Sequence, residues 1–311
     1  HIAEMRSSLV NSYNPLHIKS FSNRITETLQ HTAQAKTPTD IEVKLSKTPQ
    51  FNISFDSDRL PHGPSIELKQ ANTTANPKIP KAVEKAVADT SLKSAPAINT
   101  LYQKGLEESY LTRILSSGSL GIGKNRKFVP TRWAITATDD TLAKNLLKEV
   151  KHYPLADHLL YRGGGWGNHY YILFFPRLFS YELFETLVRT GNYSTDYESY
   201  KGRTTYAKET VGGYYAARLP IIDKLKKIQK QASVLVLRFI TDDYWMPLGV
   251  WVCREATRKT LVNKPLHFSD PKQMISHITQ EIQKKFKINI NQHLNQSKLL
   301  QSLTQRQLSD Y

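Results

Sequence analysis

Val234-Leu235-Val236-Leu237-Arg238-Phe239-Ile240 is apolar at every position but one. A strand with one wet face alternates apolar and polar residues. An unbroken apolar run marks a strand buried on both faces, so helices must cover each side of its sheet. Leu248-Gly249-Val250-Trp251-Val252-Cys253 reads as a second such strand, reached through the loop Thr241–Trp245. Further strands are expected at Ile41–Leu45, Phe51–Phe55, Phe128–Thr138 (broken early by Pro130), Leu159–Arg162 and His169–Phe175. The last two flank a hairpin-like loop, Gly163-Gly164-Gly165-Trp166-Gly167. Helices are expected in the polar opening (residues 1–36) and at Lys81–Ala88 after Pro80, Ser91–Glu108, Asp139–Val150, Tyr181–Thr190, Tyr206–Lys230, Pro271–Phe286 and Gln292–Tyr311. Residues 66–78 read as a loop or short helix, and 191–204 as a polar connection. Strands and helices mix without regular alternation. The expected class is α/β or α+β: a mixed central sheet flanked by helices, with a C-terminal helix and tail.

The chain carries 43 Lys and Arg against 27 Asp and Glu, a net +16 over 311 residues. An excess of this size favours polyanion partners through counterion release. The cations recur in clusters, among them Lys124-Arg126-Lys127, Lys224-Lys226-Lys227-Lys230 and Lys284-Lys285-Lys287. A folded basic surface is therefore expected rather than a basic arm. No apolar run is long enough to span a bilayer, and His1–Arg6 does not read as a signal peptide. The single cysteine, Cys253, excludes an internal disulfide or a zinc cluster, fits a reducing cytosol and reads as a buried structural residue. A chain opening on His1 is expected to be a fragment or a processed form.

Several residues are candidates for chemistry. Asp139 and Asp140 read either as a helix N-terminal cap or as a metal- or arginine-binding pair at a strand end. Gly212-Gly213-Tyr214-Tyr215-Ala216-Ala217-Arg218 suits either base stacking with a phosphate contact or tight helix packing with Arg218 ion-paired. Arg238, inside its apolar strand, needs a carboxylate or phosphate partner, and Arg254-Glu255 offers one. Gly163–Gly167 lacks the Lys-Ser/Thr of a phosphate loop and reads as a mobile hairpin, and His169 reads as structural. Arg132, Asp139, Asp140, Arg218, Arg238, Arg254 and Glu255 are expected either to converge on one pocket near the strand ends or to scatter into structural pairs, Arg238 with Glu255. No Ser-His-Asp order, zinc spacing or dinucleotide fingerprint is identifiable.

The chain closes on Gln305-Arg306-Gln307-Leu308-Ser309-Asp310-Tyr311. One 3₁₀ turn would point Leu308 and Tyr311 the same way, with Gln305 at the rim. This tail resembles the box by which replication and repair proteins hold the sliding clamp. A second aromatic, usual in that box, is missing. The alternative is an amphipathic last helix turn.

Blocks along the whole chain resemble the archaeal Nre family of DNA-repair proteins. They are Met5–Leu9, Lys36–Val43, Asn76–Pro80, Asn125–Trp133, Gly212–Leu219, Pro247–Trp251, Arg254-Glu255 and the terminal box. The resemblance implies an N-terminal-type region over 1–200 that is truncated at its start, a C-terminal-type region over 201–300 and a clamp-binding tail over 301–311. It implies a DNA-damage response exercised with a sliding clamp of the proliferating-cell-nuclear-antigen type. The family's N-terminal zinc-finger-like cysteine cluster is not present here, so no metal site is assigned. The expectation is thus a cytoplasmic DNA-repair protein, not held in a membrane. It binds DNA through Arg126, Lys127, Arg132, Arg218, Arg238 and Arg254, and the clamp through Gln305, Leu308 and Tyr311. Two alternatives stand beside it. One is a metal-dependent nuclease or other nucleic-acid-processing enzyme using Asp139, Asp140 and an arginine set, with Glu255 a further catalytic candidate and Mg²⁺ or Mn²⁺ the metal of a nuclease. The other is a nucleic-acid-binding scaffold without catalysis. No reaction is assigned.

Overall fold

A computed structural model describes residues 9–13, 24–51, 63–244 and 249–304, and shows an α+β protein. The expected strand Phe51–Phe55, except for Phe51, and residues 305–311 of the expected clamp-binding tail lie outside the described residues, while 301–304 of that tail are helical. Two compact units are present, residues 1–142 with 246–249 and residues 143–245 with 250–311.

The first unit holds a small sheet of β1 (Asn11–Tyr13), β2 (Ile41–Leu45) and β3 (Ser65–Thr73), in the order β1-β3-β2. Residues 66–78, expected to be a loop or short helix, mostly form β3. Ile66, Leu68 and Ala71 are its buried positions, and Leu68 and Ala71 meet Ile25 of α1 (Arg24–Gln34). Helices α2 (Lys81–Ala88), α3 (Ser94–Gln103) and α4 (Glu108–Ser116) follow. Two arginines close helix ends here, satisfying carbonyls that have no partner within the helix. Arg113 donates to Ala33 O at 3.0 Å and Ala35 O at 2.7 Å. Arg126 donates to Gly121 O at 2.8 Å and to Val87 O at 2.6 Å.

Residues 128–138, expected to be a strand, begin helix α5 (Thr131–Val150) after Pro130. The local β-branched content favours a strand, but Ala134 is buried in this stretch, Leu142, Ala143, Leu146, Leu147 and Val150 bury as one helical stripe further along, and packing of the continuous helix outweighs propensity.

The second unit is built on a six-stranded sheet in the order β7-β6-β8-β5-β4-β9. Its strands are β4 (His158–Gly165), β5 (Asn168–Phe175), β6 (Ser180–Leu187), β7 (Tyr193–Glu198), β8 (Ser233–Ile240) and β9 (Leu266–Phe268). β6 and β8 run parallel, and the other neighbours run antiparallel. β8 is central and buried on both faces, as its unbroken apolar run requires. Residues 181–190, expected to be a helix, supply β6, and the expected connection at 191–204 supplies β7. One face of the sheet is covered by α6 (Val211–Lys227) and α7 (Trp251–Val262). The other packs against α8 (Pro271–Phe286), α9 (Asn291–Gln296) and α10 (Lys298–Thr304). There Leu173, Leu235, Leu237 and Phe239 meet Met274, Ile278, Ile282 and Leu299. On this side Glu182 accepts from Ser297 Oγ at 2.5 Å and from the N–H groups of Lys298 and Leu299 at 3.0 Å, capping α10 from a central strand.

The second expected buried strand, at 248–253, is described from Gly249 on, and there the chain instead leads into α7. Val252, Cys253, Ala256, Thr257, Thr260 and Leu261 are buried at helical spacing. A short apolar run does not distinguish a buried strand from a buried helix turn. Among the described residues no helix is long and apolar enough to cross a membrane.

Candidate nucleic-acid interface

The sheet face under α6 and α7 carries buried charge. Because β6 and β8 are parallel and in register, Glu185 lies beside Arg238 near the carboxyl ends of both strands. Arg238, 5% exposed, donates through Nη1 to Glu185, and through Nε and Nη2 to Asn168 Oδ1 at 2.9 and 2.5 Å. Gly213 at the start of α6 packs on this pair, and only the absence of a Cβ leaves room for the Glu185 carboxylate. Tyr170 and Cys253 are fully inside the same layer. Burial pushes both the phenol and the thiol up, so Cys253 stays a protonated, inert thiol.

Further along that face, Arg218 of α6 donates to Glu198 of β7 at 2.6 Å. Asp196 accepts from Thr210 N at 2.7 Å and Glu209 N at 2.9 Å, and pairs with Arg203 at 2.9 Å. Burial opposes the charge on Asp196, yet the Thr210 hydrogen bonds and Arg203 hold its carboxyl below the usual range. Together these pairs fix the entry of α6.

The seven residues weighed for one pocket divide between the two units. Arg132, Asp139 and Asp140 belong to the first unit, and the other four to the second. Asp139 and Asp140 lie in the middle of α5, neither at its N-terminus nor at a strand end; Asp139 is buried and Asp140 half-buried. Arg132 is exposed in the first turn of α5. In the second unit Arg218 and Arg238 are buried in ion pairs on the same sheet face. The partner of Arg238 is Glu185, not Glu255. Arg254 and Glu255 lie on α7 rather than at a strand end, 3.7 Å apart, and Glu255 pairs with Arg258 at 2.9 Å. Of the other two expected DNA contacts, Lys127 is exposed and Arg126 is the half-buried latch on the end of α2. Among the described residues, no three His, Cys, Asp or Glu side chains come together in a metal-holding arrangement.

Charged side chains gather at the tip of the β4–β5 hairpin, cations and carboxylates together. A cleft of about 390 Å³ there is lined by the backbone of Gly163–Gly167 and by Arg162, His169, Tyr171, Asp243, Glu281 and Lys285. Arg162 pairs with Glu281 at 2.6 Å, and Tyr171 donates to the same carboxylate at 3.2 Å. Lys285 Nζ lies 3.1 Å from His169 Nδ1. Partial burial and the Lys285 charge hold the imidazole below its ordinary pKa, so it stays neutral and accepts from the ammonium. The glycine run and His169 are visible in sequence. Glu281 and Lys285 stand 119 and 116 residues from the partners they meet, so no local signal links them to the hairpin.

Sequence profiles of the archaeal Nre N-terminal and C-terminal regions match residues 1–194 and 198–311. The chain belongs to the archaeal Nre family. The two profiles meet at β7, so the Nre sheet takes strands from both regions. DNA repair protein NreA of Haloferax volcanii is 34% identical over 83% of this chain and 65% of its own length. DNA repair protein NreB of Archaeoglobus fulgidus is 34% identical over 92% of the chain and 73% of its own length. NreA of the same organism is 36% identical over 80% and 64%. The chain thus spans about two thirds of the curated relatives it matches. No solved structure matches it.

Proposed function

We propose that this Nre chain is part of a DNA-repair protein that binds DNA through its basic surface and is tethered to a sliding clamp by Gln305, Leu308 and Tyr311. The observation that carries the reading is the Nre match along nearly the whole chain, with relatives that are named as DNA-repair proteins. The net +16 supports a polyanion partner. The buried pairs of Arg218 and Arg238 shift the DNA contacts of this reading away from them, onto exposed cations such as Lys127 and Arg132 and those at the hairpin tip.

The test is a titration of the chain against branched and cross-linked DNA at several salt concentrations, with and without Mg²⁺ or Mn²⁺. Affinity is expected to fall linearly in a log–log plot against salt, with the DNA left intact. A flat response, or no binding at low salt, overturns the DNA-binding reading. Metal-dependent cleavage replaces it with the nuclease reading.

A further inference from the structure

The β4–β5 hairpin is built against its local preferences. Gly165 pairs with Asn168, so the turn has two residues, Trp166 and Gly167. Their φ values, 53° and 71°, make it a primed turn of the kind that ordinarily takes Asn-Gly. A bulky residue at positive φ is strained, and strain of this kind clusters at binding sites. Trp166 meets Trp251 edge-on, with ring centroids 5.9 Å apart, yet remains 42% exposed.

The glycines beside it divide into two kinds. At Gly163, Gly164 and Gly167 an added Cβ would fall within 3 Å of a neighbouring atom. At Gly165 the nearest atoms are Cδ and Nζ of Lys259, at 3.7 and 3.9 Å, which is ordinary contact. Packing therefore requires three of the glycines and not the fourth. Glycines inside strands mark bulges, bends or places where a ligand or another backbone approaches, and at Gly165 the packing within the protein does not account for the glycine. Lys259 stands on this flank, with Arg162 and Lys285 in the cleft on the other, and all three are exposed.

We propose that the hairpin tip is a seat for single-stranded DNA, an assignment that rests on the DNA-binding reading above. An unpaired base stacks on the open face of Trp166, and its flanking phosphates meet Lys259 on one side and Lys285 with Arg162 on the other. A duplex does not fit this chemistry, because its base faces are already covered by neighbouring pairs. Glu281 and Asp243 add hydrogen-bond acceptors for base edges, and the mixed charge keeps the cleft from being a general backbone groove.

The test uses the whole chain with a labelled oligothymidine and a duplex of the same length. Trp166→Gly suits the turn and preserves the hairpin. Loss of one stacked base, about 1–3 kcal/mol, corresponds to a roughly 5- to 150-fold weaker single-strand affinity, with duplex affinity unchanged. Trp166→Phe restores most of it. Lys259→Ala and Lys285→Ala each make the salt slope shallower by about 0.7. Single-strand binding by Trp166→Gly equal to that of the unaltered chain overturns the inference, as do unchanged salt slopes in both lysine variants. Duplex binding without single-strand binding overturns it while sparing the DNA-binding reading. Failure to bind either DNA removes both.

Discussion

Arg218 of α6 and Glu198 of β7 form an ion pair at 2.6 Å with side chains only 2% and 3% exposed. Leaving either charge alone in the interior is costly. Glu198→Gln or Arg218→Ala is expected to destabilise the protein by about 3–5 kcal/mol, whereas Arg218→Met with Glu198→Leu is expected to be far milder. Urea unfolding of the three variants measures this. Equal losses in the single and double variants would show that the pair is not the source.

Gly213→Ala tests the second buried pair. A methyl group there would sit against the Glu185 carboxylate and 3.3 Å from Arg238 Nη1. Helix propensity alone would stabilise the alanine by about 1 kcal/mol. Pushing Glu185 off Arg238 costs about 3–5 kcal/mol, so the net change is expected to be destabilising. A raised melting temperature would contradict it.

His293 makes stability depend on pH. Its ring is buried against Tyr193 and shares a 2.9 Å hydrogen bond with Thr186, and burial lowers its pKa to about 4. The unfolded chain takes up a proton near pH 6.5 and the folded one resists until about pH 4. The unfolded state thus binds more protons between those values, and stability falls as the pH drops through them, by about 3 kcal/mol at most. The denaturation midpoint of His293→Gln should fall less over this window than that of the unaltered chain. Parallel curves would refute the assignment.

Leu308→Ala combined with Tyr311→Ala is expected to abolish binding to a purified sliding clamp without changing the circular dichroism spectrum. Two apolar anchors at about 2 kcal/mol each amount to roughly a thousand-fold in affinity. Unchanged calorimetric affinity would reject the clamp-binding tail, and loss of the fold would mark Leu308 and Tyr311 as structural.

What the sequence determined by itself rested on patterns that need no distant partner. The unbroken apolar run of β8 required a sheet covered on both sides, and helices lie on both sides. Alternation at Ile41–Leu45, the hairpin around Gly163–Gly167, Pro80 before α2 and the span of α8 were legible for the same reason: each is decided by residues a few positions apart. The family was legible as well, from ordered blocks along the chain. Tertiary structure decided what short apolar segments become. Residues 249–253 lead into a helix and 181–187 form a strand because each completes a packed layer, which neither segment encodes alone. It also chose the partners of the buried charges. Arg238 takes Glu185, 53 residues away, because parallel pairing sets β6 beside β8, while the nearer Glu255 is carried off on α7 to Arg258. Lys285 and Glu281 reach the glycine hairpin only because α8 packs under β4 and β5. A contact across more than a hundred residues leaves no trace in spacing, since the sheet that closes the distance is itself the product of the whole fold.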